Sequence, residues 1–165
     1  AIKFSSSRKE QPRMKFLVAT DQILQGWPAN TVFVKNVSYD EIPQVYSAAD
    51  VFLFPTRYEG CSYSLIEAMA CELPIVASLV GYAKDLRRDL KDLAPFILPD
   101  SDSELYWRAL KLLADSADLA KRLGLSGAEY VRRHNSLDTM ADSYVRLIEQ
   151  VTPGRQGQRE AACSL

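Results

Sequence analysis

The sequence has little cysteine, a single histidine and no long hydrophobic run. Its three cysteines, Cys61, Cys71 and Cys163, make an odd number without CxxC spacing, so neither a disulfide framework nor a zinc site is indicated. The apolar runs are far shorter than the roughly 20 residues of a membrane-spanning helix, and the N-terminus lacks a signal-peptide pattern. We therefore expect a soluble, cytoplasmic protein, and a peripheral membrane association of a larger parent protein stays open.

An excess of charge of one sign is also missing. The chain has 20 Lys and Arg residues against 21 Asp and Glu residues, for a formal net charge of -1. This balance provides no overall attraction to nucleic acid or to an anionic membrane. The 165 residues are 47% hydrophobic, which is enough for one domain with a buried core. Any function has to be read from local motifs.

Short β-rich runs alternate with helical stretches along the chain. The runs lie at residues 14–20, 30–37, 50–55, 73–78 and 95–99. Runs this continuously apolar are typical of strands that are covered on both faces. The alternation predicts an α/β fold with a parallel doubly wound sheet. In the predicted helix between the second and third runs, Ile42, Val45 and Tyr46 share one apolar face.

After residue 99 the pattern becomes helical, and the last amphipathic stretch covers residues 136–151. The polar residues 153–165 lack any period, so we expect a domain at 1–152 and a disordered tail at 153–165. Asp100 and Asp102 imitate a metal-binding DxD motif, but a Ser/Asp cluster before a helix is typical of caps. The sequence therefore predicts no metal site.

The segment YEGCSYSLIEAMA, residues 58–70, contains two glutamates eight positions apart. It follows the third predicted strand, so Glu59 should lie in a loop at the edge of the sheet where ligands bind. Three small residues form the turn that follows: Gly60, Cys61 and Ser62. The N–H groups of the first helical turn, near Ser62, Tyr63 and Ser64, then form an anion site suited to a phosphate.

Glu67 should lie about 7.5 Å further along the helix axis. A carboxylate there can accept hydrogen bonds from paired hydroxyls, so the segment suits a ligand with hydroxyls at both ends and phosphates between them. Glutamates are also common on solvated helix faces, and the spacing alone leaves that interpretation of Glu67 open.

The stretch from NTVFVKNV at residue 30 to GYAKDL at residue 86 resembles the C-terminal, donor-binding domain of a retaining GT-B glycosyltransferase of family 4, the glycosyl transferases group 1. The E-x7-E element from Glu59 to Glu67 carries the resemblance, with the preceding PTRY and the following EAMA and LPIVAS. The resemblance implies a Rossmann-like domain, one half of a GT-B architecture, with C-terminal helices. It covers roughly residues 14–150.

The resemblance also implies residue roles. Glu59 would bind hydroxyls of the donor sugar as the catalytic-site residue, without being a nucleophile, and Glu67 would bind the ribose hydroxyls. Backbone amides near Ser62, Tyr63 and Ser64 would hold the diphosphate, and the loop at Lys35 would flank the base. The implied donor is a UDP-, GDP- or ADP-sugar without a bound metal or cofactor. The implied partner is an N-terminal acceptor-binding domain, without which the chain would be inactive.

Several positions depart from the family pattern. Glycine is usual where Lys35 and Glu72 stand, and Gly-Phe-Gly is usual where this chain has Gly60, Cys61 and Ser62. One glycine of a Gly-Gly pair is kept, as Gly81. Because of these departures, the alternative function is a non-catalytic module whose nucleotide site has lapsed. A nucleotide-sugar epimerase of similar architecture is a third, weaker alternative.

The family also opens this domain with a strand, a loop with a basic pair that grips the diphosphate, and a helix. Residues 1–13 are too short for that unit. We interpret them as the tail of the helix that precedes the strand at 14–20. Arg8 and Lys9 then belong to a solvated helix end rather than to the basic pair.

Overall fold

The computed structural model describes residues 2–5, 13–22, 26–99 and 102–152, and the predicted tail lies outside them. The strands are β1 Ile2–Ser5, β2 Arg13–Ala19, β3 Thr31–Val34, β4 Phe52–Phe54, β5 Ile75–Ser78 and β6 Ile97–Leu98. The helices are α1 Ile42–Ser47, α2 Tyr63–Ala70, α3 Ala83–Asp89, α4 Ser103–Asp115, α5 Ala117–His134 and α6 Leu137–Val151. The chain divides into two compact units, residues 1–131 and 132–165.

The predicted Rossmann-like α/β arrangement is confirmed in the first unit. Strands β2 and β3 pair in parallel, and so do β4 with β5 and β5 with β6. Helix α2 connects β4 to β5, and α3 connects β5 to β6. The strands form two three-stranded sheets, with orders β1-β2-β3 and β4-β5-β6. Both edges of β2 are paired, one with β1 and the other with β3.

The prediction of a helix tail at residues 1–13 is wrong. Residues Ile2–Ser5 form β1, which pairs antiparallel with β2, with Ile2 opposite Phe16 and Ser5 opposite Arg13. The alternation of apolar and polar residues in IKFS is the period-two pattern of a strand, but four residues are too few to outweigh the family comparison. Arg8 and Lys9 lie outside the described residues.

The core of the first unit is centred on β5, whose four residues are all buried. This confirms the prediction that the run at 73–78 forms a strand covered on both faces. The largest fully buried side chains are Val51, Leu65, Met69, Ile75, Val76, Leu86, Leu93, Ile97, Leu113 and Leu123. Most come from the strands and from helices α2 to α5, while Val51 directly precedes β4 and Leu93 lies between α3 and β6. Leu65 and Met69 anchor α2 by its inner face.

Helix α2 ends in a Schellman motif. The Leu73 N–H group donates to the Ala68 carbonyl at 3.1 Å, and the Glu72 N–H group donates to the Met69 carbonyl at 3.0 Å. Glu72 occupies the left-handed position of the motif, with φ +61°, where glycine is usual. Gly124 of α5 approaches this turn so closely that a Cβ atom would lie 2.8 Å from the Glu72 carbonyl carbon.

Capping residues fix the starts of the later helices. Asp102 accepts the N–H groups of Glu104 and Leu105 at 3.1 and 3.2 Å, which confirms it as the cap of α4. In the second unit, Ser136 accepts the Thr139 N–H group at 3.1 Å and starts α6. Among the described residues, no helix has both the length and the apolar character needed to cross a membrane.

Candidate functional site

The loop between β4 and α2 contains most of the predicted site. It begins after Phe54, the last residue of β4, and ends at Ser62, the N-cap of α2. Because β4, β5 and β6 are parallel, this loop and the loop after β5 lie at the same carboxyl edge of their sheet. In open α/β sheets, ligands bind at that edge.

The Glu59–Gly60 segment of this loop is held by the loop after β5. The Tyr82 N–H group donates to the Gly60 carbonyl at 2.7 Å. Gly81 has φ +48°, and a Cβ atom there would lie 2.8 Å from the Glu59 carbonyl carbon and closer still to the carbonyl oxygens of Glu59 and Gly60. Only glycine lets the two loops approach this closely. The exposed Glu59 carboxylate accepts the Gly60 N–H group at 2.9 Å.

The N-terminus of α2 is capped by the buried Ser62. Its hydroxyl oxygen accepts the Leu65 N–H group at 3.4 Å and lies 2.8 Å from the Ser64 hydroxyl oxygen. The Ser62 backbone is extended, so its Cβ atom is tolerated without strain. In the part of the chain that the structure describes, the N–H groups of Tyr63 and Ser64 have no protein acceptor. Both donors lie at the positive end of the helix dipole, where they can bind an anion.

Glu67 is half-buried and is held by a tyrosine of α1. The Tyr46 hydroxyl lies 3.1 Å from Glu67 Oε2 and 3.2 Å from the Ser64 carbonyl oxygen. Burial, and then the Glu67 carboxylate, raise the pKa of the Tyr46 phenol, so the hydroxyl stays protonated and donates. Burial and the same carboxylate also raise the pKa of the Cys71 thiol. The interpretation of Glu67 as a freely solvated surface residue therefore does not hold.

Three neighbouring cavities lie along α1. One of about 390 Å³ lies between β2 and β4 and is lined in part by Tyr46 and Ser64. A second, of about 170 Å³, is lined in part by Tyr46 and Glu67. A third, of about 340 Å³, includes Lys35 and shares two apolar residues with the first. Apolar walls with a carboxylate, hydroxyls and N–H donors suit a ligand that carries hydroxyls and an anionic group.

A comparison with known families decides the membership of the chain. The family model described as "Glycosyl transferases group 1" matches residues 4–115. The chain belongs to the group 1 glycosyl transferases. The match includes the whole β4–α2 loop and all of α2, so the E-x7-E element lies within the segment that identifies the family.

Two curated relatives of this chain are the sulfoquinovosyl transferase of Arabidopsis thaliana, 27% identical over 116 residues, and a D-inositol 3-phosphate glycosyltransferase of Mycolicibacterium vanbaalenii, 31% identical over 136 residues. The alignments cover 70% and 81% of this chain and 22% and 29% of the relatives. The solved sucrose-phosphate synthase of Thermosynechococcus elongatus matches with a TM-score of 0.62 at 28% identity, covering 74% of this chain and 30% of that one. The fold is that of a GT-B glycosyltransferase domain, and the chain spans less than a third of these proteins.

The structure of this family member brings part of the predicted site together. Ser62 caps α2, and Ser64 and Glu67 lie within its first two turns. Four further residues are exposed in or beside the loop that leads into the helix: Glu59, Gly60, Cys61 and Tyr63. Lys35 is exposed on a separate loop, after β3, and lines a different cavity from Glu67. The ligand roles assigned to these residues stay predictions.

Sequence reasoning misses two residues of the site. It places Tyr46 with Ile42 and Val45 on an apolar helix face, which is correct for the ring but leaves its hydroxyl unexplained. A buried tyrosine hydroxyl usually finds a partner, and this was the signal that could have pointed to Glu67. Gly81 stands out in the sequence only as the remaining glycine of a pair, and its contact with Glu59 is visible in the structure alone.

Proposed function

We propose that the chain binds the nucleoside-diphosphate-sugar donor of a retaining, metal-independent glycosyltransferase. The acceptor is held by a further, N-terminal domain of the GT-B architecture. Because the chain spans less than a third of the relatives' lengths, sugar transfer is proposed for the larger protein, and the chain alone is proposed to be inactive.

The proposed roles follow the order of groups along such a donor. Glu67 accepts hydrogen bonds from the ribose hydroxyls, and the N–H groups of Tyr63 and Ser64 hold the diphosphate. Glu59 positions the sugar through its hydroxyls, and the loop at Lys35 flanks the base. Donors aimed at the leaving diphosphate stabilise the charge that develops on it, which is a large contribution to catalysis.

The position of Glu67 is the observation that carries this proposal. A carboxylate that is partly removed from water is costly unless it is hydrogen-bonded. Tyr46 supplies one such bond, to Glu67 Oε2. The residue also faces a cavity of about 170 Å³ and lies one turn from the unpaired N–H groups at the start of α2. This combination supports a ligand with a hydroxyl-bearing part next to an anionic part.

The alternative function, a non-catalytic module, depends on the departures at Lys35, Ser62 and Glu72. Ser62 acts as an N-cap with ordinary extended backbone. Glu72 closes α2 in a left-handed conformation at the opposite end of the helix from the unpaired N–H groups. Neither change displaces Glu67 from Tyr46, so the geometry favours donor binding.

Isothermal titration calorimetry with UDP, GDP, ADP and the matching nucleotide sugars tests the division of roles. We expect Glu67→Ala to weaken binding of both nucleotide and nucleotide sugar by about 1–3 kcal/mol. Glu59→Ala should spare the free nucleotide and weaken only the nucleotide sugar. The control is Glu104→Ala, on the exposed face of α4, which should change neither. Equal losses for both ligands in the Glu59 and Glu67 variants would contradict the assignment.

A further inference from the structure

We propose that Tyr46 is a positioning residue that orients Glu67 and the first turn of α2 for nucleotide binding. This inference rests on the proposed function and adds a residue that none of the roles above includes. Its basis is a single hydroxyl group that lies within hydrogen-bond distance of both a side chain and a backbone group of α2.

The Tyr46 ring is fixed before any ligand binds. It is 9% exposed and packs edge-on against Phe52 of β4, with ring centroids 5.8 Å apart and an interplanar angle of 74°. The rest of α1 presents Ile42 to the same apolar core. Because the ring is packed in this way, its hydroxyl has one position, from which it can orient groups of α2.

The hydroxyl acts on the two parts of α2 that the nucleotide would contact. At 3.1 Å from Glu67 Oε2 it restricts the rotamers of a long side chain and leaves Oε1 to accept a bond from a ligand hydroxyl. The same hydroxyl proton is shared with the Ser64 carbonyl, 3.2 Å away, and so also supports the turn that presents the N–H groups of Tyr63 and Ser64. Such support lowers the conformational entropy that binding would otherwise cost.

A purely structural role for Tyr46 predicts something different. The ring contributes to the core whether or not the hydroxyl is present, so Tyr46→Phe would then change stability and leave ligand affinity alone. A positioning role predicts that affinity falls, and that the fall disappears once Glu67 has lost its carboxylate. A double-mutant cycle separates the two roles.

The chain offers a matched control in Tyr106. Tyr106 is 8% exposed, and its hydroxyl oxygen lies 2.8 Å from the Ser78 hydroxyl oxygen. Tyr106→Phe therefore removes a hydrogen-bonded hydroxyl of similar burial whose partner, Ser78, has no proposed role and lies outside α2. Thermal midpoints of the two phenylalanine variants then measure the stability effect common to both.

The test measures dissociation constants of UDP, GDP and ADP for the unchanged chain, Tyr46→Phe, Glu67→Ala, the double variant and Tyr106→Phe. For the nucleotide that binds, we expect Tyr46→Phe to weaken binding about tenfold, Tyr106→Phe to leave it unchanged, and Tyr46→Phe to have no further effect in the Glu67→Ala background. If Glu67→Ala weakens binding and Tyr46→Phe does not, this inference is overturned and the proposed function is not. If none of the three nucleotides binds the unchanged chain, or if Glu67→Ala has no effect, the proposed function fails and the inference fails with it.

Discussion

Replacement of Gly81 by alanine should destabilise the protein through its contact with the Glu59 loop. The φ of +48° at Gly81 lies in the left-handed region, which costs alanine about 1–2 kcal/mol. The new Cβ atom would also lie 2.8 Å from the Glu59 carbonyl carbon, and relief of such crowding by backbone movement costs about 1–3 kcal/mol. The sum of about 2–5 kcal/mol should lower the thermal midpoint by roughly 5–15 °C.

Thermal denaturation followed by circular dichroism measures this loss, with two other glycines as controls. Gly26 has φ +88° and no atom within 4 Å of a built Cβ, so Gly26→Ala should show only the backbone cost. Gly60 has neither a left-handed φ nor a neighbour within 4 Å, and Gly60→Ala should change stability little. A midpoint for Gly81→Ala no lower than that for Gly26→Ala would refute the steric reasoning.

Two further predictions concern stability. Glu72→Gly should raise the free energy of unfolding in urea by about 0.5–1 kcal/mol, because relief at φ +61° exceeds the extra entropy of glycine in the unfolded chain; a loss of stability would show that the Glu72 side chain stabilises this turn. Leu65→Ala, at a residue 1% exposed, should cost about 2–5 kcal/mol in the same assay, whereas Leu112→Ala, at a residue 51% exposed, should cost much less. Similar losses for both leucines would contradict the placement of Leu65 in the core.

The strands could be predicted where they are buried on both faces, because their composition alone distinguishes them. The run at 73–78 forms β5, and the run at 95–99 contains β6. Both strands are shorter than predicted, and prolines explain part of the difference. Pro74 and Pro95 lack the N–H group that a ladder requires, so β5 starts only at Ile75 and β6 only after a 3-10 turn at Ala94–Phe96.

The first strand could not be predicted with the same reasoning. Its four residues form a strand only because β2 offers an open edge, and that depends on tertiary structure rather than on local preference. The division into two sheets also depends on tertiary structure. Strand β1, and not a strand of the second sheet, pairs with the edge of β2 opposite β3. Hydrophobic pattern gives the fold class but does not give the pairing of a short strand.

In the site, sequence spacing correctly placed Glu59 in a loop and Glu67 inside α2. The departures from the family pattern required the structure, because their effect depends on backbone conformation. Glu72 occupies a left-handed position. The departure at Lys35 follows β3, but there the left-handed residue is the next one, Asn36, with φ +52°. Asparagine adopts this conformation more readily than most residues, so glycine is not required there.

An amide-shift NMR titration of the chain with UDP, GDP and ADP tests the central claim most directly. Donor binding predicts saturable shifts for one nucleotide, including the amides of Tyr63 and Ser64, and predicts that these shifts fade in Glu67→Ala. No shift with any of the three nucleotides, or saturable shifts that Glu67→Ala leaves unchanged, would contradict the claim that the start of α2 and Glu67 form the nucleotide site.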